Sequence, residues 1–79
     1  MKYVYILQSE AQPDRRYVGL TGDLPARLKR HNAGQITHTS KFAPWRVQSY
    51  FAFSEEERAV AFERYLKTSS GRAFSRKRL

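Results

Sequence analysis

The sequence predicts an α+β fold, on three observations. "KYVYILQS", "RRYVGL" and "WRVQSYFAF" are rich in β-branched and aromatic residues with period-two patterning, as strands are. The stretches that begin near Asp23 and Ser54 repeat apolar residues at the i, i+3, i+4 spacing of an amphipathic helix. Short polar breaks separate these segments, with no internal repeat, linker or low-complexity stretch. A chain of 79 residues is expected to form a single domain over 1–79, with no appended recognition domain. A core of this size supplies no more than ~3–5 kcal/mol without staples, and there are no cysteines to provide them.

In the first strand Tyr3, Tyr5 and Leu7 face one way and Val4 and Ile6 the other. Both faces are apolar, which predicts a central strand covered on both sides. "EAQPDR" breaks the pattern, and "RRYVGL" reads as the returning strand of a hairpin. A turn centred near Ala11 would set Tyr5 and Tyr17 opposite each other, with Gly19 leaving room on that face for a close backbone approach. The first helix is expected to start at Asp23 as its cap, to tolerate Pro25 in its first turn, and to close at Gly34. "QITHTSKFAP" reads as a hydroxyl-rich solvated loop, with His38 and Thr39 within possible reach of a bound polyanion. In the third strand Trp45, Val47, Phe51 and Phe53 are placed on one packed face, and Arg46, Gln48 and Tyr50 on the other. Ser54 and Glu57 form an S-x-x-E capping box for the second helix. Its inward stripe is Ala59, Phe62 and Leu66, with Glu63 on the same stripe and Arg64 pointing away. Gly71 is expected to end it, leaving "GRAFSRKRL" as a basic tail tucked back by Phe74.

The balance of 15 Lys and Arg against 7 Asp and Glu gives a net charge of +8, which favours a polyanionic partner. Nucleic acid is the leading candidate and an anionic membrane surface the weaker one. Four of the acids (Glu55, Glu56, Glu57 and Glu63) are crowded together, so the remaining surface is more basic than the average. No stretch approaches the ~20 apolar residues that cross a bilayer. "MKYVYILQSE" lacks a full signal-peptide core, so a soluble, cytoplasmic protein is expected. Thiolate metal sites are excluded, and two histidines are too few for an ordinary zinc site.

Polar residues stand where apolar ones belong. Leu24, Arg27, Leu28 and His31 share one helical face, and Glu63 shares the inward stripe of the other helix. Tyr5 and Tyr17 share a face of the hairpin. Each has a plain explanation: a cross-strand tyrosine pair, a snorkelling arginine, a glutamate paired with an inward arginine. Buried charges are costly unless paired or coordinated, so three of them in so small a core call for a common reason. A metal-binding carboxylate, a phosphate-binding arginine, and a phenol or imidazole that moves protons would supply one. Together they are the parts of a metal-assisted phosphodiester hydrolase.

The tripeptides "YVY" (Tyr3 to Tyr5) and "YVG" (Tyr17 to Gly19) resemble the two signature strands of the GIY-YIG nucleases. The likeness continues in order through "RLKRHNAG", "FERYLK", "PW" and "SGRAFSRKRL", and is greatest to the short, stand-alone bacterial members. The resemblance implies a small three-stranded antiparallel sheet flanked by helices, and cleavage of DNA phosphodiesters with one divalent metal. By the same resemblance Tyr17 takes a proton from the attacking water, and Tyr5 orients that water or a phosphate oxygen. Arg27 steadies the phosphoryl charge, His31 lies beside the proton path, and Glu63 is the metal's carboxylate ligand. Mg²⁺ suits such a site because it keeps several waters. A free tyrosine has a pKa near ~10, so a tyrosine base needs a cation beside it.

Tyr3 and Val4 depart from the glycine and isoleucine of the family name, Leu20 stands where some relatives carry lysine, and the late asparagine of several members has no counterpart. Lys29, Arg30, Arg72, Arg76, Lys77 and Arg78 are the candidate nucleic-acid contacts. Two competing readings are a basic nucleic-acid-binding domain that has lost the chemistry and a basic module for an acidic protein. The oligomeric state is left open.

Overall fold

The computed structural model describes residues 1–79. Its elements run β1 (Lys2–Ser9), β2 (Arg16–Thr21), α1 (Leu24–Asn32), a 3₁₀ turn (Ser40–Phe42), β3 (Trp45–Phe53), α2 (Glu56–Leu66) and α3 (Ser69–Arg78). The strands form one antiparallel sheet in the order β2-β1-β3. The α+β expectation holds, and β1 is central as its two apolar faces required.

Each face of β1 has its own core. Val4 and Ile6 pack with Ala59 and Leu66 of α2, joined by Val18, Leu20, Phe53 and Phe62. Tyr5 and Leu7 pack with Leu24 and Trp45, joined by Tyr17, Leu28 and Val47. The sheet is therefore sandwiched, with α1 on the tyrosine face and α2 on the other.

The first helix forms as its local signals dictate. Asp23 is the N-cap and accepts from the Ala26 N–H, and Pro25 sits in the first turn. At the other end the Gln35 N–H donates to the Arg30 carbonyl and the Gly34 N–H to that of His31. This paired closure needs a left-handed residue, and Gly34 has φ of +74°.

Several expectations are corrected. The hairpin pairing centres on Gln12 rather than Ala11, so Tyr5 lies opposite Gly19 and Tyr17 opposite Leu7. Moving a turn centre by one residue moves every partner by two, which keeps the faces and changes the neighbours. In β3, Ile6 pairs with Ser49 while Leu7 pairs with Val47, so Gln48 is the extra residue of a β-bulge. The bulge exchanges the faces: Trp45 and Val47 join the tyrosine side, whereas Phe51 and Phe53 meet the Phe62 ring on the other. Tyr50 falls with Trp45 and Val47, edge-on to Tyr3. The strand is packed on both sides, at different ends.

The capping box at Ser54 is not formed. Glu55 is the N-cap and no side chain caps the helix, because the first turn starts one residue later than the S-x-x-E pattern requires. Nor does Gly71 end α2, which stops at Leu66; Thr68 then caps α3 by accepting from the Gly71 N–H. The supposed basic tail is this helix. Phe74 is exposed beside Tyr65, and the contacts inward are instead made by Gly71, Ser75 and Leu79.

A Cβ on Gly71 would stand 1.8 Å from the Tyr65 carbonyl oxygen and 2.6 Å from its carbon. Backbone cannot rotate away as a side chain can. Gly71→Ala is therefore expected to cost about 3 kcal/mol or more, the upper range for overpacking, by prising α3 from α2. Denaturant melts check this; a loss comparable to an exposed-site substitution would contradict it.

Candidate active site

Tyr5 projects from the central strand across Gly19 of β2. A Cβ on Gly19 would lie 2.3 Å from the Tyr5 hydroxyl oxygen and 2.4 Å from its ring carbon. The space at Gly19 is thus filled by the fully buried Tyr5 phenol, a side chain and not the backbone expected there.

That phenol is held by a directed chain of hydrogen bonds. Arg27 Nε lies 3.2 Å from Tyr5 Oη. An arginine only donates, and at the far end the Thr39 hydroxyl donates to the Ile36 carbonyl, so Thr39 accepts from the His31 Nδ1–H and His31 Nε2, at 3.0 Å, accepts the tyrosine's own proton. Burial, followed by the charges of Arg27 and Arg30, lowers the His31 pKa to about 4, so the imidazole is neutral and has one donor left. Its Nδ1–H is then directed to Thr39 Oγ1 at 2.7 Å, and the threonine hydroxyl donates to the Ile36 carbonyl at 3.3 Å. With a donor-only guanidinium at one end and an acceptor-only carbonyl at the other, every proton between them has one direction. Burial raises the Tyr5 pKa, and the Arg27 bond and charge offset part of that rise. Arg27 is in turn held above its ordinary value, first by the Tyr5 bond. Tyr5 is accordingly a fixed, protonated phenol and a poor base.

Thr39 corrects the solvated reading of its loop: it is buried, whereas His38 is exposed as expected. Thr39 is also fastened through its carbonyl, which accepts from the Trp45 indole at 2.8 Å. Asn32 pins Trp45 from α1 by bonding both its backbone N–H and its carbonyl. The loop thus closes the inner end of the hydrogen-bond chain.

Tyr17 lies at the outer end. Its half-buried ring stands edge-on to His31 at 5.1 Å and 6.4 Å from the Tyr5 ring. It also lines a groove of about 410 Å³ along the edge of β2, walled by α3. The groove carries the cations Arg16, Lys67, Arg72 and Arg76, with Asp14 as its one acid. Arg72 and Arg76 are one helical turn apart, so both fall on the face that α3 turns to the groove. Arg16 Nη1 donates to Ser75 Oγ at 3.2 Å and ties α3 to the sheet edge.

Glu63 is largely covered and bound to Lys67, with Nζ 2.6 Å from Oε2. The alternative pairing with Arg27 is not formed, since Arg27 is engaged with Tyr5. Glu63 does not itself line the groove; Lys67 connects it to the residues that do. No group of three or more histidine, cysteine or carboxylate side chains could encage a metal. A cation at Glu63 would be held by one carboxylate and otherwise by water, which suits Mg²⁺ and not Zn²⁺. The Lys67 ammonium shows that the carboxylate accepts a cation in place.

The structure brings together Tyr5, Tyr17, Arg27 and His31, and sets Arg72 and Arg76 beside Tyr17. Lys29 and Arg30 lie exposed in the last turn of α1, and Lys77 and Arg78 in the last turn of α3, all outside the groove. Sequence reasoning missed Arg16 and Lys67 in the groove. Arg16 adjoins Tyr17 and Lys67 follows Glu63 by one turn, signals that were present in the spacing. No helix is long and apolar enough to cross a membrane.

Comparison with known proteins gives a consistent result. Residues 1–78 match the family model described as the GIY-YIG catalytic domain. The "Structure-specific endonuclease subunit SLX1" of Scheffersomyces stipitis is 40% identical over 67 residues, covering 76% of this chain and 20% of the relative. Its homolog in Giardia intestinalis is 34% identical over 65 residues, covering 77% and 18%. The chain thus spans about a fifth of the length of these two relatives. The UPF0213 protein BH0048 of Halalkalibacterium halodurans is 35% identical over 71 residues, covering 89% of this chain and 73% of that one. A solution NMR structure of UPF0213 protein BH0048 from Bacillus halodurans superposes with a TM-score of 0.57 at 32% identity, covering 96% of this chain and 81% of that one.

The neutral His31 makes stability pH-dependent in a defined direction. Between about 4 and the ordinary value of 6.5 the unfolded chain takes up a proton that the folded chain refuses. The contribution is complete above 6.5 and drains away as pH falls toward 4. The melting advantage of the wild type over His31→Gln is expected to narrow across that window. An advantage that stays constant through the window would refute the neutral, buried imidazole.

Proposed function

The chain belongs to the GIY-YIG family of catalytic domains, and from that premise we propose that it is an endonuclease hydrolysing DNA phosphodiester bonds with a divalent metal, Mg²⁺. The observation that carries the proposal is the position of Tyr17, between an oriented buried hydrogen-bond chain and a groove bearing four cations. Structural packing alone does not require four cations against one acid around a tyrosine. A strand of phosphates does. The names of two relatives, structure-specific endonuclease subunits, support branched or otherwise irregular DNA as substrate and repair or recombination as the setting.

In this reading DNA lies along the β2 edge with its phosphates on Arg16, Arg72 and Arg76. Tyr17, as its phenolate, takes the proton of the attacking water as the oxygen–phosphorus bond forms and the bond to the leaving sugar oxygen breaks, and that oxygen takes a proton from solvent water. Arg27 spends Nε on Tyr5 and keeps its terminal N–H groups for a phosphoryl oxygen, where developing charge is best stabilised. Tyr5, His31 and Thr39 are positioning residues that hold Arg27. Glu63 would hold the metal, which would supply positive charge against the phosphate and acidify water.

Nicking of supercoiled plasmid in Mg²⁺, with EDTA as the control, tests the activity, and a panel of duplex, flapped and branched DNAs tests the preference. Tyr17→Phe is expected to melt like the wild type and lose ~10²–10⁴-fold in rate, the usual range for a general base. Glu63→Gln is expected to abolish nicking while DNA binding in EDTA holds or tightens. Full activity in Tyr17→Phe would move the base elsewhere, and Mg²⁺-dependent nicking in Glu63→Gln would remove the ligand assignment.

A further inference from the structure

Glu63 and Lys67 stand one turn apart on α2, a spacing at which exposed ion pairs are common and contribute little. Their surroundings set this pair apart. The Glu63 side chain is only 16% exposed and that of Lys67 51%, so a mostly covered carboxylate is paired with a half-exposed ammonium. Their contact of 2.6 Å is that of a close charge-assisted bond. The same ammonium lines the groove with Tyr17, Arg16, Arg72 and Arg76, and its charge is felt at the Tyr5 phenol. One flexible cation therefore touches both the candidate metal ligand and the candidate phosphate track.

We infer that Lys67 is an exchangeable cation: it occupies the Glu63 carboxylate when no metal is bound, and turns to a DNA phosphate in the groove when a divalent cation takes its place. The inference rests on the endonuclease reading and deepens it. A divalent cation on Glu63 repels an ammonium on the same oxygen, so the two exclude each other. The four-carbon stem of lysine carries three rotatable donors, and Lys67 is already at the groove wall, so only the side chain needs to move. Within the groove Asp14 is the one acid that could hold the released ammonium instead. Against it stand the phosphates drawn in by Arg16, Arg72 and Arg76. Before metal arrives, the pairing neutralises a covered carboxylate that would repel DNA.

The test uses the full chain and two variants. Lys67→Met removes the charge and keeps a helix-forming stem, while Lys67→Arg keeps a cation. Mn²⁺ titration without DNA is expected to show Lys67→Met binding about fivefold more tightly than the wild type, as loss of one competing charge at contact distance implies, with Lys67→Arg close to the wild type. DNA binding is then followed against salt in the Tyr17→Phe background, where cleavage is suppressed. In Mg²⁺, Lys67→Met is expected to reduce the slope of log K against log salt by about 0.9, one phosphate contact on duplex DNA; in EDTA the slope is expected to stay the same. Equal Mn²⁺ affinities in the wild type and Lys67→Met overturn the exchange, and so does a slope lost equally in Mg²⁺ and EDTA. If the wild type nicks plasmid in Mg²⁺ while either of those results appears, only the Lys67 role falls. If no protein binds Mn²⁺ and none nicks DNA, the endonuclease reading falls with it.

Discussion

The hydroxyl of Tyr5 is the constraint on which the rest of the structure depends. A buried phenol oxygen must be satisfied, and here it has both a donor, Arg27, and an acceptor, His31, from one helix. The four-residue spacing of that arginine and histidine lets α1 grip the hydroxyl from above, and the glycine at position 19 lets the ring lie low over β2. His31 then needs a partner for its second nitrogen, which brings Thr39 and its loop inward. Trp45 and Asn32 fasten that loop. The polar residues of the helical stripe are thus a single satisfied network. Arginine sits at its outer end, beside Tyr17.

The sheet edge at β2 explains how two opposite layers come to serve one site. The tyrosines and α1 belong to one face of the sheet, and α2 with Glu63 and Lys67 to the other. They meet only where β2 has no neighbouring strand. There α3 lies beside the edge and leaves a groove, held at the Arg16–Ser75 bond. An uncovered strand edge is a hazard for aggregation that charges commonly offset. Here the charges along the edge are those of the groove, Arg16, Arg72 and Arg76, proposed to hold phosphates.

The two kinds of core have different tolerances. The face built from Val4, Ile6, Ala59 and Leu66 is apolar and depends on volume, so conservative exchanges there cost little. The tyrosine face contains the hydrogen-bond chain, where each partner's loss leaves a buried group unsatisfied. The glycines follow this division. Gly19 is needed for the phenol of the neighbouring strand and Gly71 for a backbone carbonyl of the preceding helix.

Features decided by neighbours in the chain were legible in the sequence. The Asp23 cap, the Gly34 closure, the inward stripe of α2 and the alternation of β1 all follow from sterics and hydrogen bonding within a few residues. So did the oddity of Arg27, His31 and Glu63 on inward faces, because burial of charge is costly whatever the fold. What needed a distant partner was not legible. The bulge at Gln48 appears only when β3 is laid against β1, and it reversed the faces expected for Phe51 and Phe53. The third helix presents glycine and serine inward, so it carries no apolar stripe to announce it. Thr39 looked solvated until His31 required its hydroxyl, and Lys67 looked like surface charge until α3 closed the groove beside it. Sequence by itself determined the three strands, the first two helices, their polar exceptions and the positive charge; tertiary structure decided the third helix and which of those exceptions meet, because register and edge packing depend on contacts that no local spacing encodes.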